Sequence, residues 1–152
     1  MAAQVHGGVA PWRWLWPLPW TLLGLLLGGL ACLAGARVRV EQGAVEFSGG
    51  RFGAWASASE GGVGPFGVTA ITLGHVILGS SAALLDTLRA HEQVHVRQYE
   101  RWGPFFVPAY LASSLWQGVC GRHPYRDNRF ERPAVAAERA AELSIHQDPP
   151  TA

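Results

Sequence analysis

The sequence predicts an α+β protein with an N-terminal transmembrane helix, a small antiparallel sheet, and helices that carry an H-E-x-x-H motif. Three observations lead to this fold class. Residues 14–36 contain no charge, short alternating apolar segments follow Arg37, and residues 91–95 spell the motif within a run free of Pro and Gly. The length of 152 residues is that of one domain.

Composition limits the classes of function before any motif is considered. The net charge is +1 and no block of Lys or Arg occurs, so the sequence gives no argument for nucleic-acid binding. Charged residues make up 15% of the chain, below the usual fraction of about 25%, whereas apolar residues make up 49%. This balance indicates a membrane-associated protein with a small polar part. The two cysteines, Cys32 and Cys120, do not suggest a disulfide framework.

The first predicted element is a membrane-spanning helix within residues 14–36. This stretch matches the hydrocarbon thickness of about 30 Å, and several tryptophans near its start are typical of a membrane interface. Residues 1–36 are therefore interpreted as a tail with a transmembrane anchor, and residues 37–147 as the domain that follows. A cleaved signal peptide is the alternative, with Ala34-Gly35-Ala36 as its cleavage site, but the run exceeds a usual signal core. The expected localisation is membrane-anchored through a single span, with the side of the membrane left open.

Short segments after the anchor predict a mostly antiparallel sheet. Valines alternate with polar or small residues from Arg37 onward, and Gly43 and the pair Gly49-Gly50 punctuate the pattern. Residues 61–65 have the Gly and Pro content of a loop. The predicted strands are residues 37–41, 44–47, 52–56, 68–73 and 76–78.

The chemistry of the sequence lies in His91-Glu92-Gln93-Val94-His95. On an α-helix, residues four apart share one face, so the imidazoles of His91 and His95 can bind one metal ion. Two histidines and a third protein ligand hold Zn²⁺ with one position open for water, whose pKa the ion lowers to about 7. Glu92 lies close enough to take the proton of this water. The arrangement is typical of a zinc hydrolase, usually a peptidase, and its alternative is a chance match on a solvated, charged helix.

The third ligand must come from outside the motif. Gln98 and Arg101 occupy the positions at which metzincins carry Gly and a third His, which argues against that class. Glu131 is the preferred candidate, because the residues between it and His95 leave room for one helix and a return to the metal. Its alternative role is a capping box with Asn128, in which Glu131 bonds the backbone. The other candidate ligands are Glu138, Asp127 and His123.

Two more helices are predicted after the motif. Residues 102–121 carry no charge between them, and Pro104 suits the first turn of a helix. We interpret this segment as a buried helix behind the motif helix, with a membrane-embedded helix as the alternative. Residues 135–145 form an Ala-rich pattern that predicts the last helix.

The motif and the later candidate ligand resemble the gluzincin class of zinc metallopeptidases, in particular its small minigluzincin members. The run His91-Glu-Gln-Val-His-Val-Arg-Gln98 is similar to the H-E-x-x-H-V-x-Q run of small bacterial peptidase-like proteins. The later motif of these relatives often reads E-x-E-A or E-x-x-A-D. Glu131-Arg-Pro-Ala134 matches its first Glu and its Ala, and the chain departs from it at Pro133 and Val135. The resemblance spans residues 84–143 and implies a zinc peptidase with His91, His95 and Glu131 as metal ligands.

The expected function is hydrolysis of peptide bonds by water, with Zn²⁺ as cofactor and Glu92 as general base. The expected partners are a peptide or protein substrate and, through the N-terminal helix, a membrane. A strand near such a motif helix often holds an extended substrate by backbone pairing, and residues 69–78 contain the candidate strand. A further side chain should stabilise the oxyanion. The candidates for this donor are Tyr99, Tyr110, Tyr125, His75 and His123.

Two other classes of function stay open at the level of sequence. One is a membrane-anchored, non-catalytic scaffold protein that keeps zinc for stability in a closed, four-ligand site. The other is an intramembrane protease with further spans in residues 61–85 and 102–121. Charged residues on the motif helix argue against the second class, because they are costly in lipid.

Overall fold

The fold consists of six α-helices and four strands in the computed structural model, which describes residues 12–58 and 70–147. The predicted loop at residues 61–65 lies outside this part of the chain. The elements are α1 Trp12–Leu15, α2 Leu18–Leu33, β1 Arg37–Glu41, β2 Ala44–Ser48, α3 Gly50–Ala58, β3 Ala70–Leu73, β4 Val76–Gly79, α4 Ala82–Trp102, a 3-10 turn Gly103–Phe105, α5 Phe106–Val119 and α6 Glu131–Gln147.

The described strands form one mixed sheet in the order β1-β2-β4-β3. β1 pairs with β2 and β3 pairs with β4 as antiparallel hairpins, but β2 and β4 run parallel. The prediction of an antiparallel sheet is therefore wrong at this central pair. The reason is the long path from β2 to β4, which contains α3 and β3 and brings β4 beside β2 in the same direction, as a crossover connection does.

The strand predicted for residues 52–56 is also wrong, because this segment belongs to α3. Ala56 is buried and Phe52 is half-buried, whereas Ala54 and Trp55 between them are exposed. In a strand, Ala54 would share the face of Phe52 and Ala56, so its exposure fits the period of a helix and not that of a strand. The other predicted strands agree with β1 to β4 to within one residue at each end, apart from residues 68 and 69, which lie outside the described part of the chain.

One face of the sheet packs against α2. A Cβ atom added to Gly24 would lie 2.7 Å from the Cβ of Val76, and one added to Gly28 would collide with the ring of Phe47. These glycines therefore allow the helix backbone to approach the strands closely. Phe47 and Val76 belong to a buried cluster with Leu73 and Leu78.

The predicted transmembrane helix and the membrane-anchored localisation based on it are corrected by the length and composition of the helices. In the described part of the chain, no helix is long and apolar enough to cross a membrane. α2 has 16 residues, which corresponds to about 24 Å at 1.5 Å per residue. Pro17 precedes the helix, and Gly35, with φ of +85°, lies just after its end, so the uncharged stretch is divided into shorter pieces.

The other face of the sheet supports α4, the helix that carries the motif. Ser81 begins the helix by accepting a hydrogen bond from the Leu84 N–H at 3.2 Å, and Gly103, with φ of +55°, ends it. Leu85 and Val96 of α4 pack on Ala44 and Ile77 of the sheet. The predicted motif helix is thus confirmed, and its inner side is held against a rigid support.

The uncharged segment 102–121 forms the 3-10 turn and α5. The prediction of a buried helix is wrong for most of its length, because Phe106 is the one buried residue of α5. α6 packs along α4 instead and covers the side of the motif helix that faces away from the sheet. The apolar side chains that α5 exposes are Leu111, Leu115, Trp116 and Val119.

Candidate metal centre

Three side chains meet at a single point between α4 and α6. The Nε2 atoms of His91 and His95 lie 3.2 Å apart. The two carboxylate oxygens of Glu131 lie 3.3 Å from Nε2 of His91 and 3.4 Å from Nε2 of His95. All three residues are buried, and together they form a group that could hold a metal ion.

The spacing of these ligand atoms agrees with a small divalent ion. A tetrahedral zinc ion with bonds of about 2.0–2.1 Å separates its ligand atoms by about 3.3 Å. Oε2 of Glu131 is buried and has no hydrogen-bond partner within the described residues. A buried anionic oxygen without a partner is costly, and a cation at this point would satisfy it. Two imidazoles and one carboxylate suit several transition metals, so the donor set alone does not decide the identity of the ion.

Helix geometry places two of the ligands, and the start of α6 places the third. His91 and His95 lie one turn apart on α4, as their spacing predicted. Glu131 is the first residue of α6. Asn128 is fully buried and holds this start, because its side-chain amide donates to the Tyr110 carbonyl at 3.1 Å and to the Ser114 hydroxyl at 2.7 Å.

The capping box considered for Glu131 is not formed. The side-chain oxygen of Asn128 accepts a hydrogen bond from the Phe130 N–H at 2.9 Å, and its carbonyl accepts from the N–H groups of Glu131 and Arg132. The carboxylate of Glu131 points the other way, toward the histidines and the hydroxyl of Tyr110, which donates to Oε1 at 2.6 Å.

Each of the two histidines has a partner at Nδ1, the ring nitrogen that does not face Glu131. Glu138 Oε2 lies 3.1 Å from His91 Nδ1, and Gln98 Oε1 lies 2.9 Å from His95 Nδ1. Such contacts orient histidine ligands in metal sites. Sequence reasoning considered Glu138 as a ligand and gave Gln98 no role. Spacing along the helices could have indicated both contacts. Glu138 lies two helical turns after Glu131, and Gln98 lies one turn after His95, so each shares a helix face with a candidate ligand.

The other two candidate ligands do not belong to the group. Asp127 accepts the His123 N–H at 2.8 Å, and His123 Nδ1 accepts the N–H groups of Tyr125 and Arg126, each at 3.2 Å. These bonds close the turn between α5 and α6, and they account for both side chains without a metal.

Glu92 faces the sheet from the residue after His91. It is buried, and its Oε2 accepts a hydrogen bond from the hydroxyl of Thr72 on β3 at 2.5 Å. Its charge raises the pKa values of both His91 and His95. The structure therefore places this carboxylate within electrostatic reach of both imidazoles.

The charges of the group are strongly coupled. Burial opposes the protonation of His91 and His95, but the carboxylates of Glu131 and Glu92 outweigh it and raise both pKa values above that of an ordinary histidine. Burial also opposes the ionisation of Glu131, yet the two histidines hold the pKa of Glu131 well below its usual range. A site that attracts protons to its imidazoles in this way also attracts a metal dication, which competes for the same lone pairs.

Only some of the candidate oxyanion donors lie near this group. Tyr99 is buried between Trp20 and Phe106. His75 stacks on Trp14 and lies 3.4 Å from Glu100, and His123 belongs to the turn already described. Two candidates remain, since the hydroxyl of Tyr110 bonds Glu131 and the pKa of Tyr125 is raised by burial and then by the charge of Glu131.

No protein-family model, curated protein or solved structure matches the chain. The function must therefore be inferred from the side chains themselves. These side chains are the group of His91, His95 and Glu131, which could hold a metal ion, and a further carboxylate, Glu92, on the helix of the two histidines.

Proposed function

We propose that the chain is a zinc-dependent metallopeptidase of gluzincin type, with His91, His95 and Glu131 as metal ligands and Glu92 as general base. The observation that carries this proposal is the convergence of two motif histidines with a glutamate from a later helix. The resemblance of the motif to minigluzincins supports the choice of zinc and of peptide-bond hydrolysis.

The mechanism assigns a separate task to each side chain. His91, His95 and Glu131 would hold the zinc ion, which would supply a Lewis acid that lowers the pKa of water to about 7 and polarises the scissile carbonyl. Glu92 accepts the proton of the attacking water and later donates it to the leaving amine. The Thr72 hydroxyl holds the Glu92 carboxylate in place. Tyr110 and Tyr125 are the candidate donors to the developing oxyanion, and Tyr110 would have to turn its hydroxyl hydrogen from Glu131 Oε1 toward it.

The edge of β3 that faces away from β4, which pairs with no other described strand, is our candidate for substrate binding. Gly74 and His75 form a two-residue hairpin turn with Gly74 at φ of +63°, as in a type II′ turn. The flanking residues Leu73 and Val76 are then the hydrogen-bonded pair, so Thr72 directs its own backbone groups away from β4. The side chain of Thr72 bonds Glu92. An extended peptide that pairs with the backbone of Thr72 would therefore lie beside a residue in direct contact with the proposed general base.

A second candidate function is a non-catalytic metal site. It is favoured by the burial of His91, His95 and Glu131 and of Glu92 as well. Such a site would bind metal for stability and would close its coordination with a fourth protein ligand.

The first experiment measures the metal content of the purified chain beside its His95→Ala and Glu131→Ala variants. We expect one zinc per chain in the wild type and none in either variant. His123→Ala is the matched control, because among the described residues this histidine bonds those of its own turn. A wild type that binds no zinc after reconstitution would refute the proposal.

The second experiment separates catalysis from metal binding. Zinc-loaded wild type and Glu92→Gln are incubated with a mixture of peptides, and the products are identified by mass spectrometry. We expect cleavage by the wild type, and zinc retained without cleavage in Glu92→Gln. Zinc binding without cleavage in both proteins would favour the non-catalytic site, and equal cleavage by both would exclude Glu92 as the base.

A further inference from the structure

Gln98 connects a candidate metal ligand to the backbone that carries another one. It lies on α4, three residues after His95, and its amide oxygen is 2.9 Å from Nδ1 of that histidine. Its amide nitrogen donates to the carbonyl of Phe130 at 2.8 Å. Phe130 directly precedes Glu131, so a single side chain links the two ligands from the side opposite to the metal.

The orientation of this amide follows from the chemistry of its partners. A backbone carbonyl only accepts hydrogen bonds, so the group of Gln98 that faces Phe130 must be its NH₂. The amide oxygen then faces His95 and accepts a hydrogen bond, which requires a proton on Nδ1. In a neutral imidazole, the lone pair is then on Nε2. That nitrogen is the atom that lies 3.2 Å from His91 Nε2 and 3.4 Å from Glu131.

The Phe130 end of this link is rigid. Phe130 is buried, and its ring lies against those of Phe106 and Trp102 at centroid distances of 5.3 and 5.5 Å. The carbonyl that receives the amide of Gln98 is therefore held by packing as well as by the start of α6. A fixed acceptor prevents the amide from rotating by half a turn, because the rotated amide would place its oxygen against the carbonyl oxygen.

We propose that Gln98 is a positioning residue that holds His95 in the tautomer able to bind a metal through Nε2 and ties that imidazole to the start of α6. The inference rests on the proposed metal centre. It assigns different devices to the two histidines, since Glu138 orients His91 with a carboxylate and Gln98 orients His95 with a neutral amide. A neutral partner adds no further negative charge beside Glu131 and Glu92.

Two substitutions separate the two contacts of Gln98. Gln98→Leu removes both hydrogen bonds at nearly constant volume, whereas Gln98→Glu keeps an acceptor for His95 Nδ1 and loses the donor to Phe130. We expect Gln98→Leu to weaken zinc affinity by about 10- to 100-fold, as loss of such outer contacts does, and to change the visible spectrum of the cobalt-substituted protein. Gln98→Glu should retain zinc affinity within about tenfold of the wild type.

Zinc affinity is measured by competition with a chelator, and circular dichroism verifies that each variant is folded. Gln117→Leu on α5 is the matched control and should bind zinc as the wild type does. Wild-type zinc affinity and an unchanged cobalt spectrum in Gln98→Leu would overturn the role of Gln98 while leaving the metal centre intact.

A measurement on the wild type decides the question without any variant. Nitrogen-15 NMR of the histidine rings, at a pH above the pKa of His95, reports which ring nitrogen carries the proton. We expect the proton on Nδ1 of His95, with zinc on Nε2 in the loaded protein. A proton on Nε2 in the metal-free protein, or zinc on Nδ1, would overturn the inference. Failure of the wild type to bind zinc would count against the proposed function, and the tautomer would still decide the role of Gln98.

Discussion

Thr72 donates its hydroxyl hydrogen to the carboxylate of Glu92 across the contact between β3 and α4, at an oxygen-to-oxygen distance of 2.5 Å. Both residues are buried. This bond joins the outermost described strand on one side of the sheet to the residue that we propose as general base. It therefore connects the candidate substrate strand with the candidate catalytic group.

Replacement of Thr72 should reduce activity without removing the metal. Thr72→Val keeps the shape of the side chain and its tendency to form a strand but loses the hydroxyl, so the Glu92 carboxylate loses its orienting donor. We expect kcat/KM to fall by about tenfold or more, in line with the cost of about 1.5–3 kcal/mol for a hydrogen bond to a charged group. Thr72→Ser should restore most of the activity, and zinc content should be unchanged in both. Equal activity of Thr72→Val and wild type would show that this bond does not matter for catalysis.

Glu138 should affect metal binding through His91 without being a ligand. Glu138→Ala removes the acceptor at Nδ1 of His91, and we expect zinc affinity to fall by about 10- to 100-fold. Glu138→Gln keeps an acceptor and should lose less. Glu41→Ala on β1 serves as the control for loss of a carboxylate elsewhere. Complete loss of zinc in Glu138→Gln would instead indicate that Glu138 binds the ion directly.

Zinc affinity should rise with pH through the neutral range. Neighbouring carboxylates raise the pKa values of His91 and His95, so protons occupy these imidazoles to a higher pH than usual, and zinc must displace them. Calorimetry in two buffers of different ionisation enthalpy should detect proton release on binding between about pH 6 and 8. Binding without proton release would contradict the raised pKa values.

The raised pKa values of His91 and His95 also predict that the metal-free fold loses stability as the pH rises, whereas zinc affinity increases. A histidine whose pKa is higher in the folded state stabilises the fold below its unfolded pKa of about 6.5, and this contribution disappears as the pH rises through the folded value. The stabilisation of the fold by zinc should therefore grow with pH. Thermal unfolding of both forms over a pH series measures this difference, and a constant difference would refute the coupling.

Two adjacent glycines of α2 provide a matched test of its packing on the sheet. A Cβ atom on Gly28 would collide with the ring of Phe47, whereas nothing lies within 4 Å of the corresponding position on Gly29. We expect Gly28→Ala to lower the free energy of unfolding by about 1–3 kcal/mol through overpacking. Gly29→Ala should raise it by about 0.5–1 kcal/mol, because alanine favours a helix over glycine. Equal effects in chemical denaturation would mean that α2 does not pack on β2 as described.

Local patterns in the sequence were sufficient for part of the fold. The alternation after Arg37 located β1 and β2, and the run without Pro and Gly around His91 located α4. Local patterns misled at residues 52–56, where Phe52 and Ala56 fit a strand but the exposed Ala54 belongs to a helix. They also misled at residues 14–36, since a leucine-rich helix that packs on a sheet and one that crosses a bilayer look alike in composition.

The sequence by itself determined that His91 and His95 share a face, because the spacing of one turn is a property of any α-helix. It also made Glu131 the preferred third ligand, because the residues between it and His95 leave room for one helix and a return to the metal. Only the tertiary structure decided that Glu131 meets both histidines, that Glu138 and Gln98 contact their outer nitrogens, and that Thr72 bonds Glu92. These contacts join distant segments, and they depend on how α6 and the sheet pack against α4, which no local spacing encodes.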